Sequence, residues 1–282
     1  MEGVRNRSRG FLKNGPGVSW ITLNVFMSKL LEGKLALVLG IANRWSLAHS
    51  IAQAFCREGA SLVLTYLGER QKEAIEDLSK DWNVTAVLPC DVTRDDELAA
   101  LTESLRGFNR PLSAVVHSLA FANREDLTRP FLETSRAGFL LAQDVSSYSL
   151  VAVARAVAPL MTEGGSLTTL TYLGSTRVLP NYNVMGVAKA SLEAAVRYLA
   201  SDLGGRKIRV NAISAGPVKT ASARAVKDFT SILERIPVVA PLKRNTEPAE
   251  VADAAVFLAS DLGRGVTANV LFVDAGMQAM AG

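Results

Sequence analysis

The sequence predicts an α/β fold, a single doubly wound parallel sheet of about seven strands with helices on both faces. Short apolar runs alternate with amphipathic stretches from Lys34 to the end of the chain. Strands separated by connections of helical length pair in parallel through right-handed crossovers. The chain has 282 residues, 49% of them hydrophobic, which is enough for one sizeable core and indicates one large domain.

The predicted strands are short apolar runs bounded by glycine or polar residues, at 35–39, 61–66, 84–88, 112–117, 166–172, 208–213 and 270–273. Apolar residues at helical spacing predict the helices between them, as with Leu47, Ile51 and Phe55 in the first. The predicted helices cover 46–57, 69–80, 95–106, 135–160, 182–203 and 248–260. The sequence contains no repeat after residue 30, so we expect residues 30–282 to form one domain.

Composition excludes several classes of protein. Two cysteines, Cys56 and Cys90, form neither a disulfide framework nor zinc-ligand spacing and are typical of a reducing cytosol. With only two histidines, far apart, we expect no metal site. No run approaches about 18 consecutive apolar residues, so we expect no membrane span. The net charge of +4 comes mostly from the first 26 residues, so we expect no nucleic-acid partner.

Residues 1–29 differ from the rest and are predicted to be an N-terminal extension. An arginine-rich stretch precedes Gly15, Pro16 and Gly17. A transit peptide is one interpretation, since such segments are rich in arginine and poor in acids. A disordered extension, or a start assigned upstream of the true one at Met27, is the favoured interpretation.

The turn after the first strand has features of a phosphate site. In doubly wound, Rossmann-type sheets, ligands bind at the carboxyl ends of the strands, near the point where strand order reverses. Gly40 permits a tight turn there, and the helix that follows directs its N-terminus at the ligand. We expect Ser46 to cap this helix and to donate to a pyrophosphate. The turn lacks the full G-x-G-x-x-G pattern, so a tight turn without a ligand remains an alternative.

Two further strand ends support a dinucleotide site. Asp91 follows the third strand and is placed to hydrogen-bond an adenine edge while Val92 packs on the ring, although an aspartate that caps a helix is the alternative. Leu67 and Gly68 follow the second strand, where an acid reads the NAD ribose and an arginine accommodates the 2′-phosphate of NADP. Neither residue carries a charge for that phosphate, so the sequence favours NADH over NADPH.

A tyrosine and a lysine form the predicted catalytic pair on the helix after the fifth strand. Seven positions separate Tyr182 from Lys189, or about 700°, which puts both on one face about 10 Å apart along the axis. Lys189 could then bind the nicotinamide ribose while Tyr182 reaches the substrate. A phenol has a reference pKa near ~10, which a nearby ammonium is expected to lower. Two residues of an ordinary surface helix are the alternative.

Residues about 30 to 280 resemble the enoyl-acyl-carrier-protein reductase family, which are divergent short-chain dehydrogenases. The resemblance is carried by Tyr182-Asn-Val-Met-Gly-Val-Ala-Lys189-Ala-Ser-Leu-Glu-Ala, Val210-Asn-Ala-Ile-Ser-Ala-Gly-Pro217, Thr169-Leu-Thr-Tyr172-Leu-Gly and Asp144-Val-Ser-Ser-Tyr-Ser149. Ordinary short-chain dehydrogenases place three residues between the tyrosine and the lysine. This sequence has six, as the enoyl reductases do.

The resemblance implies reduction of the trans-2 double bond of an enoyl thioester on acyl carrier protein by NADH, in fatty-acid elongation. It implies a cytoplasmic homotetramer, Tyr182 as stabiliser of the enolate, Tyr172 as a second active-site tyrosine, Ala122 in the substrate pocket and a substrate lid near 217–243. The cofactor contacts that it implies are Gly40, Ser46, Leu47, Leu67, Asp91, Val92, Leu119, Lys189, Val218, Lys219, Thr220, Ala221 and Ser222.

Two other functions remain open from the sequence. A carbonyl-reducing short-chain dehydrogenase of the 3-oxoacyl type is the first, although the six-residue spacing and the second tyrosine argue against it. A non-catalytic dinucleotide-binding module is the second, and the presence of both Tyr182 and Lys189 argues against that.

Overall fold

The computed structural model describes residues 29–220 and 229–280. Its seven strands are β1 Leu35–Leu39, β2 Ser61–Tyr66, β3 Val84–Pro89, β4 Leu112–His117, β5 Gly165–Thr171, β6 Ile208–Ala215 and β7 Val270–Val273. All pair in parallel in the order β3-β2-β1-β4-β5-β6-β7. The predicted doubly wound parallel sheet is confirmed, and the order reverses between β1 and β4.

The α-helices lie in the connections between these strands. They are α1 Leu47–Arg57, α2 Glu69–Leu78, α3 Asp95–Arg106, α4 Arg124–Thr128, α5 Arg136–Gln143, α6 Ser149–Val157, α7 Asn183–Gly204, α8 Phe229–Val239 and α9 Pro248–Ala259. The sequence analysis did not predict α4 or α8. The helix α8 lies in the segment expected to be the substrate lid, near 217–243. Polar and apolar residues are mixed in this segment, so no helical periodicity was recognised there.

The sheet is buried on both faces, as parallel sheets are. In β1 the side chains alternate, so that Leu35, Leu37 and Leu39 belong to one core and Ala36 and Val38 to the other. The first core contains residues of α3, α6 and α7, and the second contains residues of α1 and α9. Because both faces are covered, ligands can reach the sheet only at strand ends or edges.

The helical region predicted over 135–160 is interrupted. A π-helical turn, Asp144–Tyr148, separates α5 from α6, and a 3-10 turn, Ala158–Leu160, follows α6. The whole stretch Arg136–Leu160 is long and apolar enough to cross a membrane, with half of its most apolar window buried inside the fold. A core helix passes the same test, and the buried Leu150, Val153 and Val157 lie in the core of the sheet.

Candidate active site

Two loops cross where the strand order reverses. Gly40 follows β1 with a φ of +99°, and a Cβ there would collide with the carbonyl oxygen of Ser118, which follows β4. The Ser118 amide in turn donates to the Leu39 carbonyl (3.2 Å). A side chain at position 40 would therefore separate the two loops, so this position requires glycine for its backbone angle and for space.

The turn into α1 differs from the prediction. Ser46 occupies the N-cap position but its side chain forms no cap, because its hydroxyl donates to the Asn43 carbonyl within the turn (2.7 Å). The Asn43 side chain accepts from the Trp45 amide (2.9 Å). The expected cap by Ser46 is wrong, and the turn is stabilised by its own polar groups. Leu47, the first residue of α1, is half-buried.

An open groove follows the end of β2, and we call it the β2 groove. It has a volume of about 670 Å³ and is lined by Ala42, Leu67, Gly68, Glu69, Arg70, Gln71 and Ala74. Leu67 is 69% exposed, and a Cβ at Gly68 would meet no atom within 4 Å. The groove therefore joins the turn after β1 to the turn after β2, where the sequence placed the adenosine ribose.

Gln71 spans this groove at its base. Its Oε1 accepts from the Leu67 amide (2.6 Å), and its Nε2 donates to the Ile41 carbonyl (2.8 Å). Sequence reasoning missed Gln71, because a glutamine in the first turn of a helix carries no signal of a contact thirty residues earlier.

Asp91 and Val92 lie after β3 and have structural partners. The Asp91 Oδ1 accepts from the amide and the hydroxyl of Thr93 (2.9 and 2.7 Å), and the Asp91 amide donates to Glu97 (2.7 Å). Asp91 thus shapes the turn before α3, whose N-cap is Arg94. Val92 is 9% exposed and belongs to the same apolar core as Leu98.

The two predicted active-site tyrosines meet, and we call them the tyrosine pair. The Tyr172 and Tyr182 rings are 5.2 Å apart between centroids and inclined by 75°, an edge-to-face geometry that aromatic rings favour. Tyr172 follows β5, and Tyr182 immediately precedes α7. A Cβ at Gly174, in the short turn between them, would collide with the Tyr182 ring. The absence of a side chain at Gly174 therefore leaves space for the Tyr182 ring.

Lys189 lies two turns along α7 and is 5% exposed. Its Nζ donates to the Leu170 carbonyl of β5 (2.7 Å). Burial lowers the pKa of Lys189 to about 8, with the charge of Glu193 opposing that shift. Lys189 thus titrates close to neutral pH in the cofactor-free chain.

Both tyrosines have raised pKa values. Burial raises the pKa of Tyr172 to about 12, with a smaller contribution from Asp274. Burial also raises the pKa of Tyr182, and Tyr172 and Glu193 add to the shift. The Tyr182 pKa is therefore raised and not lowered as expected, because burial is the largest cause and Lys189 is not among the charges that shift it. Both phenols are protonated at neutral pH and can donate hydrogen bonds.

Two buried ionisable residues form hydrogen bonds with side chains of β5, the strand that precedes Tyr172. Glu193, one turn beyond Lys189 on α7, accepts from the Thr171 hydroxyl (2.6 Å). His117, at the end of β4, has its ring nitrogens 2.9 Å from the hydroxyls of Thr169 and Ser149. Burial, followed by the charge of Lys189, lowers the His117 pKa to about 3. His117 is therefore a neutral structural residue, and Glu193 is the acid that sequence reasoning missed although it follows Lys189 by four positions.

The remaining predicted residues surround these two regions. Leu119 lies beside Gly40, within reach of a Cβ placed there. Ala122 and Tyr182 pack against the same small apolar cluster, formed by Leu127, Ala142, Val184, Met185 and Ala188. Val218 is buried, Lys219 is exposed and Thr220 is half-buried after β6, whereas Ala221 and Ser222 lie outside the described residues. In residues 29–220 and 229–280, no three His, Cys, Asp or Glu side chains cluster as metal ligands would.

Comparison with known proteins gives the same family as the site. The family model described as enoyl-(acyl carrier protein) reductase matches residues 40–278. The chain is 54% identical to the NADH-dependent enoyl-acyl-carrier-protein reductase of Bacillus cereus over 88% of this chain and 98% of that protein. It is 49% identical to the NADPH-dependent reductase of Staphylococcus aureus, over 89% and 98%.

Comparison with solved structures gives the same family. The fold is similar to that of the Bacillus cereus reductase with NADP+ and an indole naphthyridinone, with a TM-score of 0.88 and 53% identity over 90% of this chain and 99% of that chain. It is similar to the Anaplasma phagocytophilum reductase in complex with NAD, with a TM-score of 0.86 and 43% identity over 90% and 95%. The chain belongs to the enoyl-(acyl carrier protein) reductase family.

Proposed function

We propose that this chain reduces the trans-2 double bond of enoyl thioesters carried by acyl carrier protein, using NADH, as the last step of each round of fatty-acid elongation. The observation that carries the proposal is the edge-to-face tyrosine pair at the carboxyl edge of the sheet, followed two helical turns later by a buried lysine that donates to the Leu170 carbonyl. A carbonyl-reducing dehydrogenase is not favoured, because its family spacing places the lysine one turn closer to the tyrosine.

The residues of the site fit a nicotinamide dinucleotide. The β2 groove is open beside Leu67 and Gly68, and the Lys189 ammonium, with three donors, forms one hydrogen bond within the described part of the chain. Gly40, Ser46 and Leu47 would hold the pyrophosphate, Leu67, Asp91 and Val92 the adenosine, and Lys189 the nicotinamide ribose. Leu119 and 218–222 would contact the nicotinamide end. When bound, the cofactor supplies a hydride to the β-carbon of the substrate.

Tyr182 stabilises the thioester oxygen as negative charge develops on it. Because burial raises the Tyr182 pKa, the phenol stays protonated at neutral pH and donates a hydrogen bond to that oxygen. Such a preorganised donor in a site with little water is worth a large share of catalysis. Tyr172, also protonated, supports the orientation of the Tyr182 ring through their edge-to-face contact. A proton taken up at the α-carbon completes the saturated thioester.

The substrate enters beside Ala122, which shares an apolar cluster with Tyr182. We assign the lid to 217–243, which includes α8. The Asn245 Nδ2 donates to the Leu233 carbonyl of α8 (3.1 Å), and Val238 on the same helix is exposed. Leu233 and Ile236 of α8 are buried, so the helix packs its apolar side inward, which suits a segment that covers an acyl chain.

The proposal extends to the whole chain. Residues 1–29 are an N-terminal extension, and 30–282 form the reductase domain. The enzyme works in the cytoplasm as a homotetramer, since its chemistry needs a soluble carrier protein and reduced nicotinamide, and closed symmetric oligomers are common for such enzymes.

One assay tests this function. Oxidation of NADH and of NADPH is followed by absorbance with a crotonyl thioester, and in parallel with an acetoacetyl thioester. We expect oxidation of NADH with the enoyl substrate and slower oxidation of NADPH. Turnover of the keto substrate alone would identify the carbonyl reductase instead.

A further inference from the structure

The side chain of Gln71 connects two turns that are far apart in sequence. It accepts from the Leu67 amide after β2 and donates to the Ile41 carbonyl after β1, at 2.6 and 2.8 Å. A primary amide carries an acceptor oxygen and a donor nitrogen on separate atoms, so it can accept from one turn and donate to another. Gln71 therefore joins the two walls of the β2 groove with no charge.

The surroundings of this bridge are otherwise loose. Leu67 and Gly68 are exposed, and a Cβ at Gly68 would touch nothing within 4 Å. The nearby charged residues Glu69 and Lys72 form only a long ion pair (3.7 Å) at the surface. Exposed pairs of this kind contribute little to rigidity. The two hydrogen bonds of Gln71 thus connect the turn after β2 to the turn after β1 through polar contacts.

We propose that Gln71 is a positioning residue for the adenosine half of the dinucleotide, because it holds both walls of the β2 groove in place before the cofactor arrives. This inference rests on the proposed function for the identity of the ligand. Gln71 acts through Ile41 and Leu67 and does not itself belong to the chemistry. Ordering a mobile loop on binding costs affinity, so a groove that is already ordered binds more tightly.

The test compares Gln71→Leu with the control Glu73→Ala, an exposed position on the same helix outside the groove. Dissociation constants are measured on the full chain for NADH, ADP-ribose and reduced nicotinamide mononucleotide. For Gln71→Leu we expect the first two constants to rise together by about tenfold, the worth of about one net hydrogen bond. The constant for the mononucleotide and kcat at saturating NADH stay unchanged, and the control behaves as wild type.

A second variant separates positioning from simple loss of stability. Gln71→Glu keeps an acceptor for the Leu67 amide but turns a carboxylate towards the Ile41 carbonyl, so we expect it to lose at least as much ADP-ribose affinity as Gln71→Leu. Hydrogen exchange at the Leu67 amide in the free protein should speed up in Gln71→Leu. Unchanged ADP-ribose affinity, or equal weakening of both fragments, would overturn the proposal. If the fragments behave as expected but no enoyl thioester is reduced, the proposed function fails and the role of Gln71 stands.

Discussion

The β2 groove and the tyrosine pair lie at the same edge of the sheet, but water reaches them very differently. In the groove, Leu67 is exposed and the Glu69–Lys72 ion pair lies in solvent. Near the tyrosine pair, Lys189 is 5% exposed and donates to a backbone carbonyl. Screened charges interact weakly, whereas charges in a dry environment interact strongly.

This difference in solvent exposure gives the two regions different roles in the site. In the groove, a ligand is held by the shape of two turns and by their hydrogen bonds, so single charges matter little. At the tyrosine pair, a few buried groups set each other's protonation, so single atoms matter greatly. Changes at the tyrosine pair should therefore affect turnover by orders of magnitude, and removal of an exposed charge that makes no short contact at the groove should have small effects.

Removing the Tyr182 hydroxyl should give the largest effect. We expect Tyr182→Phe to lower kcat by about 10²–10³-fold, because the substrate oxygen loses its donor, while NADH affinity stays nearly unchanged. Steady-state kinetics and NADH fluorescence titration measure the two quantities. Tyr198→Phe, at an exposed position on the same helix, is the control. Normal turnover in Tyr182→Phe would show that the donor is another group.

Filling the space under the Tyr182 ring should come next. A Cβ at Gly174 would collide with that ring, so we expect Gly174→Ala to lower kcat by up to about 10²-fold through misplacement of the hydroxyl. Gly204→Ala is a matched control, because a Cβ there would meet no atom within 4 Å. The same kinetic assay compares the two variants. Equal activities would mean that the ring adjusts without cost.

Removing the charge of Glu193 should change a pH dependence. The charged form of Lys189, the better donor to the cofactor, predominates below its pKa of about 8, so NADH affinity should fall as the pH rises through that value. The charge of Glu193 raises this pKa, and Glu193→Gln should therefore move the midpoint to lower pH. NADH titrations at several pH values measure it.

The control for this change is Asp202→Asn, an exposed acid further along α7. Its NADH midpoint should match wild type. A Glu193→Gln variant that binds NADH less tightly at every pH, with the same midpoint, would assign Glu193 a structural role only.

The smallest effect is expected at Lys72, which pairs with the groove residue Glu69 but does not itself line the groove. Lys72 pairs with Glu69 at 3.7 Å and lies 5.8 Å from the Tyr66 ring centroid. We expect Lys72→Ala to change the free energy of unfolding by less than about 1 kcal/mol and to leave kcat unchanged. Urea denaturation measures the first quantity. A larger loss would mean that the groove depends on charge as the tyrosine pair does.

The sequence predicted the sheet and the shared face of Tyr182 and Lys189 because both depend on local periodicity, whereas Tyr172 came only from the family resemblance. Continuous apolar runs such as 35–39 fix buried strands, and the helical period alone puts Tyr182 and Lys189 on one face. The predictions failed where a polar side chain had several possible hydrogen-bond partners. Ser46 was expected to cap α1, but its hydroxyl donates to Asn43, three residues earlier.

Contacts between residues that are far apart in sequence were the other limit of prediction from the sequence. The contact of Gln71 with Ile41 exists only because β1 and β2 are neighbours, and no spacing in the chain announces it. The raised pKa of Tyr182 likewise depends on how much protein surrounds the ring. Sequence reasoning identified the nearby ammonium but not the larger effect of burial.

The contacts made by the π-helical turn Asp144–Tyr148 depend on the number of residues in the chain at this point. It places Ser146 against the backbone of Phe121 (2.9 and 3.0 Å) and Ser147 against Ser191 of α7 (2.9 Å). A π turn holds one residue more than an α turn, and each residue of an α-helix turns it by about 100°. Loss of a single residue here would therefore rotate one of these serines away from its partner, whereas a surface loop can change length without breaking such contacts.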